Sequence, residues 1–155
     1  MMMSIETRLA ELKIELPSPS TPAANYVPFI KTGNLIFISG QVTHLDGKLQ
    51  YVGKVGAELS LEDGYRAAKI CSLNLLSHLK AACNGNLDKV TKVIKLGGFV
   101  NSAPDFTDQP KVINGASDLM VQVFGNVIGT HSRFAVSATS LPLGSATEID
   151  GVFEV

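Results

Sequence analysis

The alternation of hydrophobic and polar positions divides the chain into strand-like and helix-like segments. Alternating or continuous apolar runs predict strands over residues 26–31, 35–41, 90–99, 133–140 and 146–155. Apolar residues at helical spacing predict a short helix over residues 4–12 and two long helices, one beginning at Ser60 and one at Pro110. Residues 42–56 contain several glycines and predict turns with a short edge strand.

Local signals mark where these segments begin and end. Gly33-Asn34 between the first two apolar runs is typical of a β-hairpin, and Ser60 followed by Asp63 three residues later has the form of a capping box. Gly97-Gly98 predicts an interruption near the end of the third strand, and Gly125 predicts the end of the second long helix.

The order of these elements, β-β-α-β-α-β-β, predicts an α+β fold in which two helices pack on one face of a mixed sheet. The strands carry apolar residues on both faces, as in Leu35–Ile38. The second face of the sheet therefore needs a cover, and the pattern contains no third long helix. Self-association of the chain is the simplest way to cover that face.

The first 22 residues form a segment of different character. A short helix is followed by an arm in which Pro17, Pro19 and Pro22 disfavour helix, and residues 23–155 then form a single domain. The longest uncharged stretch, residues 16–30, is too short and too rich in proline to cross a membrane, and no secretory signal is visible.

Composition and charge narrow the class of function. The 155 residues are 45% hydrophobic and 17% charged, and the net charge is −1 with basic residues scattered singly. The absence of a basic stripe argues against nucleic acid as a partner. Cys71 and Cys83 lack metal-ligand spacing and are interpreted as buried thiols in a reducing, cytoplasmic compartment. The three histidines also lack ligand spacing, so neither a metal nor a cofactor is predicted.

Several blocks of sequence resemble the RidA (YjgF-like, reactive-intermediate deaminase) family. Tyr26 followed by the run that ends in Ser39-Gly40-Gln41 is similar to the opening of that family. Further blocks match the approach to the second helix and the closing pattern: Asp105-Phe106, Val112-Ile113-Asn114, Arg133, Leu141-Pro142 and Glu148-Ile149. The resemblance runs from about Ala23 to Val155.

This resemblance implies a fold of the bacillary chorismate-mutase type and a homotrimer whose three sheets form a central barrel with clefts between subunits. It implies hydrolysis of 2-imino or enamine acids to 2-keto acids and ammonia, without cofactor or metal, so that the ligands are small 2-imino or 2-keto carboxylates. Some relatives have been called ribonucleases, which makes endoribonuclease activity a third hypothesis. A non-catalytic module that binds a small carboxylate is the second.

The resemblance and the chemistry together select the candidate site. Arg133 suits a planar carboxylate because a guanidinium pairs with it at two points. Glu148, placed on the adjoining strand, is the candidate general base, and Tyr26 offers a hydroxyl and a flat wall. Each residue also has a structural interpretation without a role in binding or catalysis. Arg133 would then form an exposed ion pair, Glu148 would be an exposed strand carboxylate, and Tyr26 would be a half-buried packing residue.

The resemblance adds further residues to the cleft lining, namely Ser39, Gly40, Asn114 and Ala135. Ser39 has no evident His/Asp pairing and is not interpreted as a nucleophile. The sequence is equally consistent with Asn114 as an exposed helix residue. Ala135 departs from the family, in which many members have Cys, Ser or Thr at this position. The N-terminal extension and a longer loop over residues 102–110 are two further departures, and all three bear on substrate choice.

Overall fold

The computed structural model describes residues 3–22 and 24–155, so the predicted domain boundary at residue 23 lies outside the described residues. Its helices and strands follow the predicted order. The α-helices are α1 (Ile5–Glu11), α2 (Leu61–Ala82) and α3 (Gln109–Gly129). The strands are β1 (Phe29–Thr32), β2 (Leu35–Gln41), β3 (His44–Leu45), β4 (Lys48–Leu49), β5 (Lys92–Asn101), β6 (Ser132–Ala138) and β7 (Thr147–Glu154).

The predicted start of α2 is confirmed by its capping contacts. The hydroxyl of Ser60 accepts from the Asp63 amide, and the Asp63 carboxylate accepts from the Ser60 amide, so the capping box is complete at the start of α2. Gly125 interrupts the helical backbone of α3 with a φ of +76°, a conformation that favours glycine. One further turn follows it before Thr130.

The main sheet has five strands in the order β1-β2-β7-β5-β6. β5 and β6 are parallel, because α3 crosses over between them, and the other neighbouring pairs are antiparallel. α2 and α3 pack against one face, which confirms the predicted α+β fold with a mixed sheet. The predicted short edge strand is wrong in detail: β3 and β4 form a separate two-stranded hairpin.

Two of the predicted strand limits are also wrong. β5 runs without interruption through Gly97 and Gly98. A Cβ at Gly98 would lie 2.7 Å from Ile113 Cγ1 of α3, so this glycine allows the helix to approach the strand closely. β1 begins at Phe29, which leaves Tyr26 in the irregular segment that precedes the strand.

The two faces of the sheet have different surroundings. Ile36 and Phe153 are fully buried in the core beneath the helices. On the opposite face, Phe37, Phe99 and Val136 are 45%, 39% and 44% exposed, so strands β2, β5 and β6 present large apolar side chains to solvent. We call this second side of the sheet the open face. Its apolar character is what the sequence pattern predicted.

The N-terminal segment packs on the helical side of the domain. Leu9 of α1 is buried in the same core as α2 and α3, and α1 contacts α3. The arm then runs along α2, where the Ser77 hydroxyl donates to the Pro17 carbonyl. Its last residues reach the end of β2, and this position makes them part of the candidate site.

Candidate functional site

A cleft of about 330 Å³ contains three of the residues that the sequence selected, Tyr26, Gly40 and Glu148. The arm supplies residues 20–22 to its wall, and His78 of α2 lines it as well. The other lining residues come from the β1 approach, the β2–β3 segment and the turn before β7: Pro28, Val42, His44, Pro142 and Leu143. We call this the Glu148 cleft.

An irregularity in β2 positions the Glu148 carboxylate. The β2–β7 register shifts between Ile38 and Gln41, and Gly40 lies within that shift. A Cβ at Gly40 would lie 2.5 Å from Glu148 Oε1, so any larger residue would displace the carboxylate. Ser39 donates from its hydroxyl to the Val27 carbonyl at 2.8 Å and thereby ties the Tyr26 segment to β2. Ser39 has a structural contact of its own and borders the cleft through its neighbour.

The surroundings of Glu148 favour its protonated form. Burial raises the pKa of this carboxyl above its ordinary value, and the negative charge of Asp150 on the same face of β7 raises it further. A carboxyl with a raised pKa can both accept and return a proton closer to neutral pH than an exposed glutamate can. Glu148 therefore has the properties of a general acid–base group.

Arg133 lies in a second group of residues, which surrounds the N-terminal half of α3. Its Nη2 donates to the Pro110 carbonyl and its Nη1 donates to the Ser117 hydroxyl, both at 3.0 Å. Asn114 lies between these two positions at helical spacing, so it shares their face of α3. Ala135 follows Arg133 on the same face of β6. We call Arg133, Asn114, Ser117 and Ala135 the Arg133 group.

The guanidinium of Arg133 has no carboxylate partner among the salt bridges of residues 3–22 and 24–155. The nearby Asp118 instead accepts a 2.7 Å hydrogen bond from Tyr65, an interaction that raises the pKa of Tyr65 to about 12. Arg133 is half-buried, and this burial lowers the pKa of its guanidinium although the charge of Asp118 acts in the opposite direction. A part-buried guanidinium without a carboxylate partner is suited to an anionic ligand.

Within one subunit the Glu148 cleft and the Arg133 group lie apart. The prediction that Glu148 adjoins the arginine strand is wrong, because β5 lies between β6 and β7. Arg133 projects toward α3, and Glu148 lies opposite Phe99, a residue of the open face. Arg133 is not among the residues that line the Glu148 cleft. The structure thus brings Tyr26, Ser39, Gly40 and Glu148 together and places Arg133, Asn114 and Ala135 elsewhere.

Some residues near these groups were not selected from the sequence. His44 and His78 both line the Glu148 cleft although they are 34 positions apart, a separation that matches no ligand motif. Ser117 belongs to no sequence motif that would select it as a site residue. Its contact with Arg133 depends on the packing of α3 against β6. His131 did carry a weak signal, since residues 131 and 133 share one face of an extended segment.

The described part of the chain contains no group of three or more His, Cys, Asp or Glu placed to hold a metal ion. Both cysteines are buried, as predicted, and burial raises the pKa of Cys71 to about 12. Cys71 therefore stays a thiol that contacts Thr147 rather than becoming a nucleophile. None of the helices described in residues 3–22 and 24–155 is long and apolar enough to cross a membrane.

Comparison with known proteins gives consistent matches along the chain. Residues 6–153 match the family model described as "YjgF/chorismate_mutase-like, putative endoribonuclease". Protein TCP17 of Trypanosoma cruzi is 42% identical over 151 residues, which cover 97% of this chain and 94% of TCP17.

Two solved structures are similar in both sequence and fold. Atu1372 from Agrobacterium tumefaciens, a protein of unknown function, is 46% identical with a TM-score of 0.90, and the match covers 97% of this chain and 92% of that one. A protein from Shewanella oneidensis MR-1, called a "putative endoribonuclease", is 34% identical with a TM-score of 0.94 over 99% and 100% of the two chains. The likeness therefore includes the N-terminal extension.

Proposed function

Because the chain belongs to the YjgF/chorismate mutase-like family, we propose that it hydrolyses 2-imino acids and their enamine tautomers to 2-keto acids and ammonia. The observation that carries this proposal is the division of complementary charges. Arg133 presents a cation without a carboxylate partner, and Glu148 presents a carboxyl in a cleft on another part of the subunit. A 2-imino acid in its iminium form has an anionic carboxylate next to a cationic nitrogen, and it complements both groups.

The reaction needs an anchored substrate and a positioned water. Arg133 binds the substrate carboxylate, and a water held by Glu148 adds to the imine carbon as its proton passes to the carboxylate. The proton then moves to the nitrogen of the resulting carbinolamine. The C–N bond then breaks while the hydroxyl proton passes to Glu148 and the C=O bond forms, which releases ammonia and the 2-keto acid; the proton on Glu148 is then given up to ammonia or solvent.

A trimer would bring the two groups into one site. The open faces of three sheets, turned inward as a barrel, would bury apolar side chains such as Phe37, Phe99 and Val136. The edges of neighbouring sheets would then meet, so that the Arg133 group of one subunit faces the Glu148 cleft of the next. Each of the three clefts would draw its anchor and its base from different subunits.

Light scattering at micromolar concentration tests this assembly. We expect a mass close to three times the 16.5 kDa of one chain. Val136→Glu places a charge in the proposed barrel and should produce monomers, because burying an uncompensated carboxylate opposes assembly. Val127→Glu is the control, since Val127 is 85% exposed at the end of α3 and away from the open face. A parent protein that stays monomeric contradicts both the barrel and the shared cleft.

Deaminase activity is tested by making the imine in situ with an amino-acid oxidase and measuring the release of ammonia and keto acid. We expect the protein to accelerate release beyond the spontaneous rate, for at least one of several imines of different side-chain size. Keto-acid binding without acceleration would favour the alternative function, a module that captures a small carboxylate metabolite. If the protein neither binds the keto acid nor accelerates its release, both functions are contradicted.

Endoribonuclease activity is the third candidate, and the description of the matched family supports testing it. His44 and His78 line the Glu148 cleft, and a pair of histidines can serve as acid and base in RNA cleavage. Within one subunit the cleft is lined by no lysine or arginine. In the proposed trimer Arg133 of the neighbouring subunit would supply a cation, but the Glu148 carboxyl beside it would repel an RNA phosphate. Incubation with single-stranded RNA distinguishes endoribonuclease activity from the proposed deaminase activity, because a deaminase should not cleave the RNA.

Asp150 provides a test of the electrostatics of the base. Its charge is one cause of the raised pKa of Glu148, and the base acts in its ionised form. Activity should therefore fall as the pH drops through the pKa of Glu148. Asp150→Asn should move this acidic limb of the pH–rate profile to lower pH, because it removes a like charge. Glu154→Gln, on the same strand, is the matched control and should leave the limb in place.

A further inference from the structure

A directional chain of hydrogen bonds extends from Arg133 into the protein. Ser117 Oγ lies 3.0 Å from Arg133 Nη1 and 2.9 Å from His131 Nε2. His131 Nδ1 lies 2.6 Å from the carbonyl oxygen of Gly129. Each distance is that of a hydrogen bond. The side chains of Ser117, His131 and Arg133 are all half-buried.

The chemistry of these groups determines the direction of each bond. A carbonyl oxygen only accepts, so His131 carries its proton on Nδ1 and donates to Gly129. A neutral imidazole then has an unprotonated Nε2, which accepts from the Ser117 hydroxyl. The hydroxyl oxygen is left to accept from Arg133, which can only donate. Each of these three hydrogen bonds therefore joins one donor to one acceptor.

Backbone packing holds Gly129, the last residue in this series of hydrogen bonds. A Cβ at Gly129 would lie 2.6 Å from the Met120 carbonyl oxygen, so the last turn of α3, after the break at Gly125, packs directly on the backbone at Met120. This close approach places the Gly129 carbonyl where His131 Nδ1 can reach it. Lys92 and Arg133 are the cations near His131, and Asp118 of α3 is the acidic group near Arg133.

From this arrangement we propose that Ser117 and His131 are positioning residues that hold the Arg133 guanidinium in the orientation for a ligand carboxylate. This inference rests on the proposed function, because it takes the ligand of Arg133 to be a 2-imino or 2-keto acid. The Pro110 carbonyl and the Ser117 hydroxyl hold Nη2 and Nη1, and these two bonds leave three of the five N–H groups of the guanidinium for a ligand.

The neutral tautomer of His131 is essential to this positioning. When the imidazole gains a proton, Nε2 becomes a donor and the Ser117 hydroxyl loses its acceptor. The charge on the ring also repels Arg133. Burial lowers the pKa of His131 below its ordinary value of 6.5, so the neutral form persists at neutral pH and is lost only under acidic conditions. Carboxylate binding should therefore weaken as the pH falls through the pKa of His131.

Calorimetry with 2-oxobutanoate as the probe tests the role of Ser117. Ser117→Ala should weaken binding about three- to tenfold, the effect of one lost hydrogen bond, and Ser117→Thr should restore it because the hydroxyl is retained. Ser132→Ala is the matched control. Ser132 lies on β6 beside Arg133, and its hydroxyl donates to the Ile94 carbonyl at 3.0 Å, so it takes no part in the hydrogen bonds from Arg133 to Gly129. It should bind like the parent.

The pH dependence of binding tests the role of His131. The titration is made in the Glu148→Gln background, so that this carboxyl does not contribute. Binding should weaken with falling pH, and His131→Phe should bind less tightly at neutral pH and lose that dependence. If both His131→Phe and Ser117→Ala bind as the parent does at every pH, the positioning role is wrong while Arg133 can still be the anchor. If the parent itself does not bind 2-oxobutanoate, the proposed function fails.

The tautomer of His131 can be measured in the parent protein, so this test remains if the variants do not fold. Long-range nitrogen NMR of the parent protein should show His131 protonated at Nδ1 at neutral pH. Protonation at Nε2 instead would overturn the chain, because Ser117 would then have no acceptor on the ring.

Discussion

Arg133→Lys should weaken 2-keto acid binding by about 1.5–3 kcal/mol, which corresponds to a loss of roughly tenfold to a hundredfold or more in affinity. Lysine keeps the positive charge but not the planar pair of donors that matches a carboxylate. It also cannot replace both contacts with α3, to the Pro110 carbonyl and the Ser117 hydroxyl. Isothermal calorimetry measures the affinity of parent and variant under identical conditions.

The matched control for this substitution is Arg66→Lys. Arg66 lies on α2 with its side chain exposed, and its Nε is 3.5 Å from Glu62. An exposed pair of this kind contributes little, so the control should bind keto acid as the parent does. If Arg133→Lys also binds with parental affinity, Arg133 is not the carboxylate anchor.

Glu148→Gln should lower the rate of imine hydrolysis by about a hundredfold or more, the usual scale for loss of a general base. Glutamine keeps the size and polarity of the side chain, so it should not disturb the close contact with Gly40. Keto-acid binding should persist, because the carboxylate of the ligand is held by Arg133. Steady-state rates from the oxidase-coupled assay and affinities from calorimetry separate the two effects.

Two results would contradict the role assigned to Glu148. Parental turnover in Glu148→Gln would mean that another group holds the water. Loss of keto-acid binding, with the variant still folded and assembled as the parent is, would mean that Glu148 contributes to the binding of the ligand rather than to proton transfer. Glu154→Gln, on the same strand, should change neither quantity.

Much of the fold follows from local signals in the sequence. The capping box at Ser60 and the hairpin at Gly33 depend on residues close in sequence, and both are found where they were predicted. Gly125 breaks the helical backbone where the sequence predicted the end of the helix, but α3 continues for one further turn to Gly129. The failures arose from contacts between distant segments. Gly97-Gly98 suggests a break when considered alone, but α3 packs onto Gly98 and needs the missing side chain.

The candidate site divides in the same way. The sequence selected Arg133 and Glu148 as separate residues, and motif order suggested that their strands are neighbours. Sequence order does not determine strand order when a helix crosses over between parallel strands, and here β5 separates β6 from β7. The contacts of Ser117 with Arg133 and of residues 20–22 with the Glu148 cleft involve segments far apart in the chain, so no local pattern predicts them.

A mixed-trimer experiment tests most directly the claim that one cleft combines Arg133 of one subunit with Glu148 of another. Arg133→Lys and Glu148→Gln chains, each deficient alone, are unfolded together in equal amounts, refolded and assayed for imine hydrolysis. Random assembly should restore roughly a quarter of the parental activity, because each cleft draws its arginine and its glutamate independently from the mixed subunits. Activity no greater than the mean of the two separate variants, with mixed trimers present, would place both residues in one subunit's site and contradict the account.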